Sequence, residues 1–134
     1  MKSIKILLFV FIASLMFASC SNNAKTPSEI AKKIFIAAKN LDFNTIKPYL
    51  VKERMDDLEE AEKELTENVE EASRFRNSVK NITFKVISER ISEDENSAVV
   101  EMRFFYADED DESRSIDIDF VKIDGEWKVD FNLF

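Results

Sequence analysis

Two aspartates, Asp119 and Asp130, are the residues of this sequence best placed to act together. Asp124-Gly125 is the strongest two-residue hairpin signal in the chain; it pairs Ile123 with Glu126 and, stepping outward, sets Asp119 opposite Asp130. Facing carboxylates can share a proton, raise one pKa or hold a hard cation. Arg103 on the neighbouring strand and Lys128 on the diagonal favour the plainer reading, a screened cluster on an exposed strand face. A second acidic group, Asp108-Glu109-Asp110-Asp111-Glu112, lacks the alternating oxygen spacing and distal glutamate of a calcium loop, so it reads as a solvated hairpin loop. No catalytic set, cofactor or metal site is assigned. The chain has no histidine, which excludes Ser-His-Asp and Cys-His nucleophiles and His-containing zinc sites. One glycine cannot build a phosphate-cradling loop, and a net charge of −8 with a pI near 4.7 opposes nucleic-acid binding.

The lone cysteine has a different chemistry available. Met1-Lys2-Ser3-Ile4-Lys5 is a short basic start, and Ile6 to Ala18 is then apolar except for Ser14. Thirteen residues fall short of the roughly 20 needed to cross a bilayer, so the segment reads as a signal peptide over 1–19. Leu15-Met16-Phe17-Ala18-Ser19-Cys20 resembles the lipobox of bacterial lipoproteins, with Phe17 where Leu is usual. The resemblance implies cleavage before Cys20, a diacylglyceryl thioether on its sulfur and acylation of the new amino group. Cys20 is then the contact with the membrane. Ser21 lacks the aspartate that favours inner-membrane retention, so the analogy implies a cell-envelope address at the outer membrane, facing the periplasm. The other reading is a secreted chain cut nearby with an incidental thiol.

Residues 20–25 form a flexible tether, and 26–134 one domain. Loss of Lys2 and Lys5 with the leader takes the mature balance to −10. Thr26-Pro27-Ser28-Glu29 is a capping box with proline in the first turn, followed by Ile30, Ile34, Ala37, Ala38 and Leu41 on one helical face. Asp42 caps a second short helix carrying Phe43, Ile46, Tyr49 and Leu50, which Pro48 shortens. From Lys52 to about Asn77, the stripe Met55, Leu58, Ala61, Leu65, Val69, Ala72 and Phe75 predicts one long third helix. Its polar side carries Glu59, Glu60, Glu62, Glu64 and further acids, either an acidic docking face for a basic partner or, more simply, a solvated surface.

Beyond Lys80 the apolar period changes from 3.6 to 2, giving strands through Ile82–Val86, Ala98–Tyr106, Ile116–Phe120 and Trp127–Leu133. The turn register places Phe120 opposite Val129, Ile118 opposite Phe131 and Ile116 opposite Leu133. The expected fold is α+β: three helices on a curved antiparallel four-stranded meander. Tyr49, Phe84, Phe104, Tyr106, Phe120, Trp127 and Phe131 are candidates to line an apolar pocket between sheet and helices, although such residues more often fill a core.

The capped Thr26–Lys33 segment, Leu41-Asp42-Phe43, Ser97–Val100 and Val121–Val129 together resemble a family of uncharacterised bacterial envelope lipoproteins. That resemblance implies a domain similar to the nuclear transport factor 2-like cone, with some relatives labelled lumazine-binding-like. Enzymes on that cone use an Asp base and Tyr or His donors inside it. Here alternation sends Asp117, Asp119 and Asp130 to the other face. The expectation is therefore a lipid-anchored, non-catalytic envelope domain that binds a partner protein or a small apolar ligand. The alternatives are a small carboxylate-dependent isomerase or dehydratase and an acidic helix interaction module. Val99, Phe105 and Val121 on the less apolar face are compatible with a homodimer through the sheet.

Overall fold

A computed structural model describes residues 25–106 and 113–134. Helix α1 (Pro27–Lys39) starts as its sequence dictates: the Thr26 hydroxyl accepts from the Glu29 amide at 3.2 Å, and the Glu29 carboxylate accepts from the amides of Thr26 and Lys25. These contacts satisfy amides that have no partner inside the helix. The same end is tied across the domain, because the amide and hydroxyl of Ser28 both donate to the Glu89 carboxylate at 2.9 Å. Asp42 caps α2 (Phe43–Ile46), accepting from the Thr45 amide, and a 3₁₀ turn over Lys47–Tyr49 follows, with Pro48 in its first turn. A second 3₁₀ turn over Lys52–Arg54 leads into α3 (Met55–Glu67).

The single long helix expected from Lys52 to Asn77 is two. Asn68 leaves helical geometry at φ −115° and ψ 93°, and its side chain accepts from the Glu71 amide at 3.1 Å, starting α4 (Val69–Val79). An asparagine that can bond a backbone amide two or three residues on competes with the continuing helix. The apolar stripe continues across the break, which is why period alone does not detect it. Among the described residues the helical half therefore holds four α-helices rather than three.

Strands β1 (Ile82–Ile91), β2 (Ser97–Tyr106), β3 (Ser113–Ile123) and β4 (Glu126–Val129) form one antiparallel sheet in the order β1-β2-β3-β4. The β3–β4 turn takes positive φ at both central residues, 53° at Asp124 and 80° at Gly125, as a hairpin turn matched to strand twist requires. Ile123 pairs with Glu126 and Phe120 with Val129, the register read from the turn. The ladder then stops. The Asp130 amide donates to the Asp119 carbonyl at 2.9 Å, and the expected strand pairs of Phe131 with Ile118 and Leu133 with Ile116 do not form. The reason lies far upstream: the Val51 amide donates to the Val129 carbonyl at 3.0 Å, and Leu50 bridges Val129 in parallel on the outer edge of β4. Phe131, Leu133 and Phe134 instead fold over the core, the Phe134 ring lying 5.5 Å from that of Phe43 and 5.8 Å from that of Phe75.

One sheet face is the core. Val100, Met102, Ile118, Phe120 and Val129 are buried against Ile30, Ile34 and Ile46 from the helices. The other face alternates out of it, in cross-strand rows such as Arg90–Val99–Asp119 and Ser88–Glu101–Asp117. A bulge at Ile87 re-phases β1, so that Glu89 reaches Ser28 from the helix-covered side.

Candidate functional site

The seven aromatic residues do not gather around one space. Phe84 and Phe104 pack with Phe35 of α1, their ring centroids 6.1 and 5.0 Å from it and 6.3 Å from each other. Phe120 is 1% exposed and belongs to the core. Phe131 borders a narrow crevice with Leu50, Arg54 and Leu58, and Tyr106 is half-buried at the end of β2. Phe84, Phe104, Phe120 and Phe131 fill space between sheet and helices. Phe35, adjacent to the apolar stripe of α1 rather than on it, and Phe134 are rings that the sequence pattern did not single out.

Tyr49 and Trp127 behave differently, since together they wall an open groove of about 460 Å³. Tyr49 reaches it because Pro48 tightens the chain after α2 into a 3₁₀ turn. Trp127 reaches it from β4, two residues past the turn glycine, opposite Lys122. Ile30 lines the groove from α1. Around the rim stand Lys25, Glu126 and Lys128; the Lys128 ammonium donates to the Pro48 carbonyl and lies 3.3 Å from the Glu126 carboxylate. Two further ammonium groups sit over the rings, Lys33 at 5.6 Å from Tyr49 and Lys122 at 5.1 Å from Trp127. A cation over an aromatic face is held by the ring quadrupole, more strongly over Trp than Tyr. The volume falls in the range of small-molecule sites, and the lining combines apolar rings with a few charged groups.

The facing aspartates meet through the backbone but not through their carboxylates. Asp119 is exposed, while the Asp130 carboxylate accepts from Arg54 Nε at 3.0 Å. Arg54 was not among the cations expected nearby. Of those, Arg103 donates to the Ser115 hydroxyl at 3.2 Å, and Lys128 turns to Pro48. Asp119 and Asp130 border a wide, shallow depression with Arg90, Val99 and Val121 on the outer sheet face. Phe105, on the same face by register, is 39% exposed. In the β1–β2 turn, the Ser92 hydroxyl and then the Asn96 amide hold the Asp94 carboxyl below its ordinary pKa.

On the acidic helices, Glu62 pairs with Lys47 at 2.6 Å and Glu70 with Arg74 at 2.6 Å, while Glu59, Glu60 and Glu64 are exposed. Among the described residues no group of three or more His, Cys, Asp or Glu is arranged to hold a metal ion, and no helix is long and apolar enough to cross a membrane. Cys20 and the Asp108–Glu112 run lie outside the described residues.

Residues 18–130 match the family described as Domain of unknown function (DUF4878). No curated protein sequence matches the chain. A solved structure similar to it is the solution structure of a SEC-C motif containing protein from Rhodopseudomonas palustris, 17% identical, with a TM-score of 0.47 over 78% of this chain and 74% of that one.

Proposed function

The chain belongs to the DUF4878 family, and from that premise we propose that it is a lipid-anchored domain of the cell envelope, tethered through Cys20 at the outer membrane on its periplasmic side, that binds a small apolar ligand or partner protein. The proposed fold is the nuclear transport factor 2-like cone, built as helices on one face of a curved meander. The observation that carries the binding role is the groove of about 460 Å³ between Tyr49 and Trp127. It is open, amphipathic and built from two elements far apart in sequence, with buried Ile30 along its lining. The carboxylate-enzyme reading has less behind it: Asp119 is exposed, Asp130 is paired with Arg54, and neither lines this groove. The acidic helix module rests on surface charge alone.

The two halves of the proposal are tested separately. Cys20→Ala should shift the protein from the membrane fraction and block processing; unchanged fractionation overturns the anchor. Trp127 is the sole tryptophan, so energy transfer from it to anilinonaphthalene sulfonate reads the groove directly. Transfer is expected in the parent chain and should fall several-fold in Tyr49→Ala. Equal transfer in both would remove the groove as the binding site.

A further inference from the structure

We infer that the Tyr49–Trp127 groove is the face this domain lays on its own membrane, and that its occupant is the headgroup region of an anionic phospholipid in that bilayer. The inference rests on the lipid-anchor reading, goes beyond it by giving the groove a charged, membrane-borne occupant in place of a small apolar ligand or partner protein, and starts from charge. The whole chain carries −8, yet the groove gathers Lys25 and Lys128 on its rim and Lys33 and Lys122 over its two rings. Glu126 is the acidic residue of the lining, and Glu29 nearby is occupied with the amides that start α1. A patch of lysines on an otherwise acidic surface selects an anionic partner and turns this side of the molecule toward it.

The second argument is reach. Lys25 is the fifth residue after Cys20, and five extended residues span at most about 18 Å. A lipid on Cys20 therefore keeps the groove within a short distance of the headgroups, and docking becomes an intramolecular event with a high effective concentration. The third argument is side-chain chemistry. Trp and Tyr with flanking Lys is the combination that settles at a membrane interface, ring toward the acyl boundary and ammonium in the phosphate layer. Each lysine near an anionic surface contributes roughly a fivefold bias, from about 1 kcal/mol per charge and 1.4 kcal/mol per tenfold.

The test imposes the anchor chemically, so that its outcome does not depend on biological lipidation. The mature chain, residues 20–134, is coupled through Cys20, its sole cysteine, to maleimide phospholipid in vesicles whose acyl chains are brominated. Bromine quenches tryptophan within contact range, and Trp127 is the only reporter. In phosphatidylglycerol vesicles Trp127 should be strongly quenched, and much less so in phosphatidylcholine or at 0.5 M salt. The double variant Lys25→Gln/Lys122→Gln, which removes one ammonium from the rim and the one over the Trp127 ring, should lower the docked-to-lifted ratio roughly 25-fold, with the emission of each protein on unbrominated vesicles as its own reference. Equal emission from phosphatidylglycerol and phosphatidylcholine vesicles would overturn the inference, as would quenching that the double variant leaves unchanged. Abolition of quenching by millimolar glycerol phosphate would reassign the groove to a free anion and overturn it too. Failure of the anchor itself is read independently, from Cys20→Ala fractionation.

Discussion

Replacing Asp130 by Asn removes the charge that Arg54 holds at 3.0 Å while keeping the size of the side chain. Both partners are partly in solvent, with 39% of the Arg54 side chain and 45% of the Asp130 side chain exposed, so the pair belongs to the class worth about 0.2–1 kcal/mol. Asp119 pulls the other way. Its backbone carbonyl accepts from the Asp130 amide just past the end of β4, which keeps the two acids close, and relief of their repulsion returns a few tenths of a kcal/mol. The net expectation for Asp130→Asn is a loss of about 0.5 kcal/mol, or roughly 2 °C in Tm for a domain of this size. Arg54→Met keeps the apolar stem and should cost a similar amount. Urea denaturation of the parent, both single variants and the double variant then gives a coupling energy of about 0.5–1 kcal/mol, shrinking in 0.5 M salt. Asp119→Asn should be neutral or slightly stabilising. A coupling of zero, with Asp130→Asn more stable than the parent, would refute this reasoning: the dominant neighbour of Asp130 would then be Asp119, and a shared proton or bound cation would return to consideration.

Asn68→Ala should destabilise the domain by about 1 kcal/mol in urea, because it removes the acceptor for the Glu71 amide, while Asn68→Gly should cost only a few tenths; equal costs would mean that the cap is not what divides α3 from α4. The Asp94 carboxyl is held below its ordinary value of 3.8 by the Ser92 hydroxyl and the Asn96 amide, so the charged form is the one the folded turn favours. What it contributes to stability is complete above pH 3.8 and is lost as pH falls through the lowered folded value. An NMR titration of the Asp94 carboxyl checks this, and Ser92→Ala should return its midpoint toward 3.8.

Local signals were legible to the extent that local chemistry decides the outcome. The Thr26 box, the Asp42 cap and the Asp124-Gly125 turn each depend on residues within four positions of one another, and each forms as its residues dictate. Asn68-Val69-Glu70-Glu71 carries a cap signal of the same kind, but the apolar stripe running through it argues for continuity, and the side chain prevailed over the period. The end of β4 was not legible. Alternation runs on through Phe131 and Leu133, whereas the strand is ended by Val51 and Arg54, which arrive from the helical half. The groove was half legible: Tyr49 and Trp127 were both candidates, but nothing in either neighbourhood says that these two, rather than Phe84 or Phe104, would share an open wall. Their meeting depends on the same long-range closure of the Leu50–Val51 segment on β4.

That closure also sets a schedule. The hydrogen bond from the Val51 amide to the Val129 carbonyl joins two residues made well apart in time. Roughly 80 residues of synthesis separate them, about 4 to 16 s at common elongation speeds. Throughout that interval the helices have no finished sheet to bury against. Late closure leaves the Leu50–Val51 segment without its partner until β4 appears. It also leaves the apolar helix faces uncovered for those seconds, when a holding chaperone would be useful.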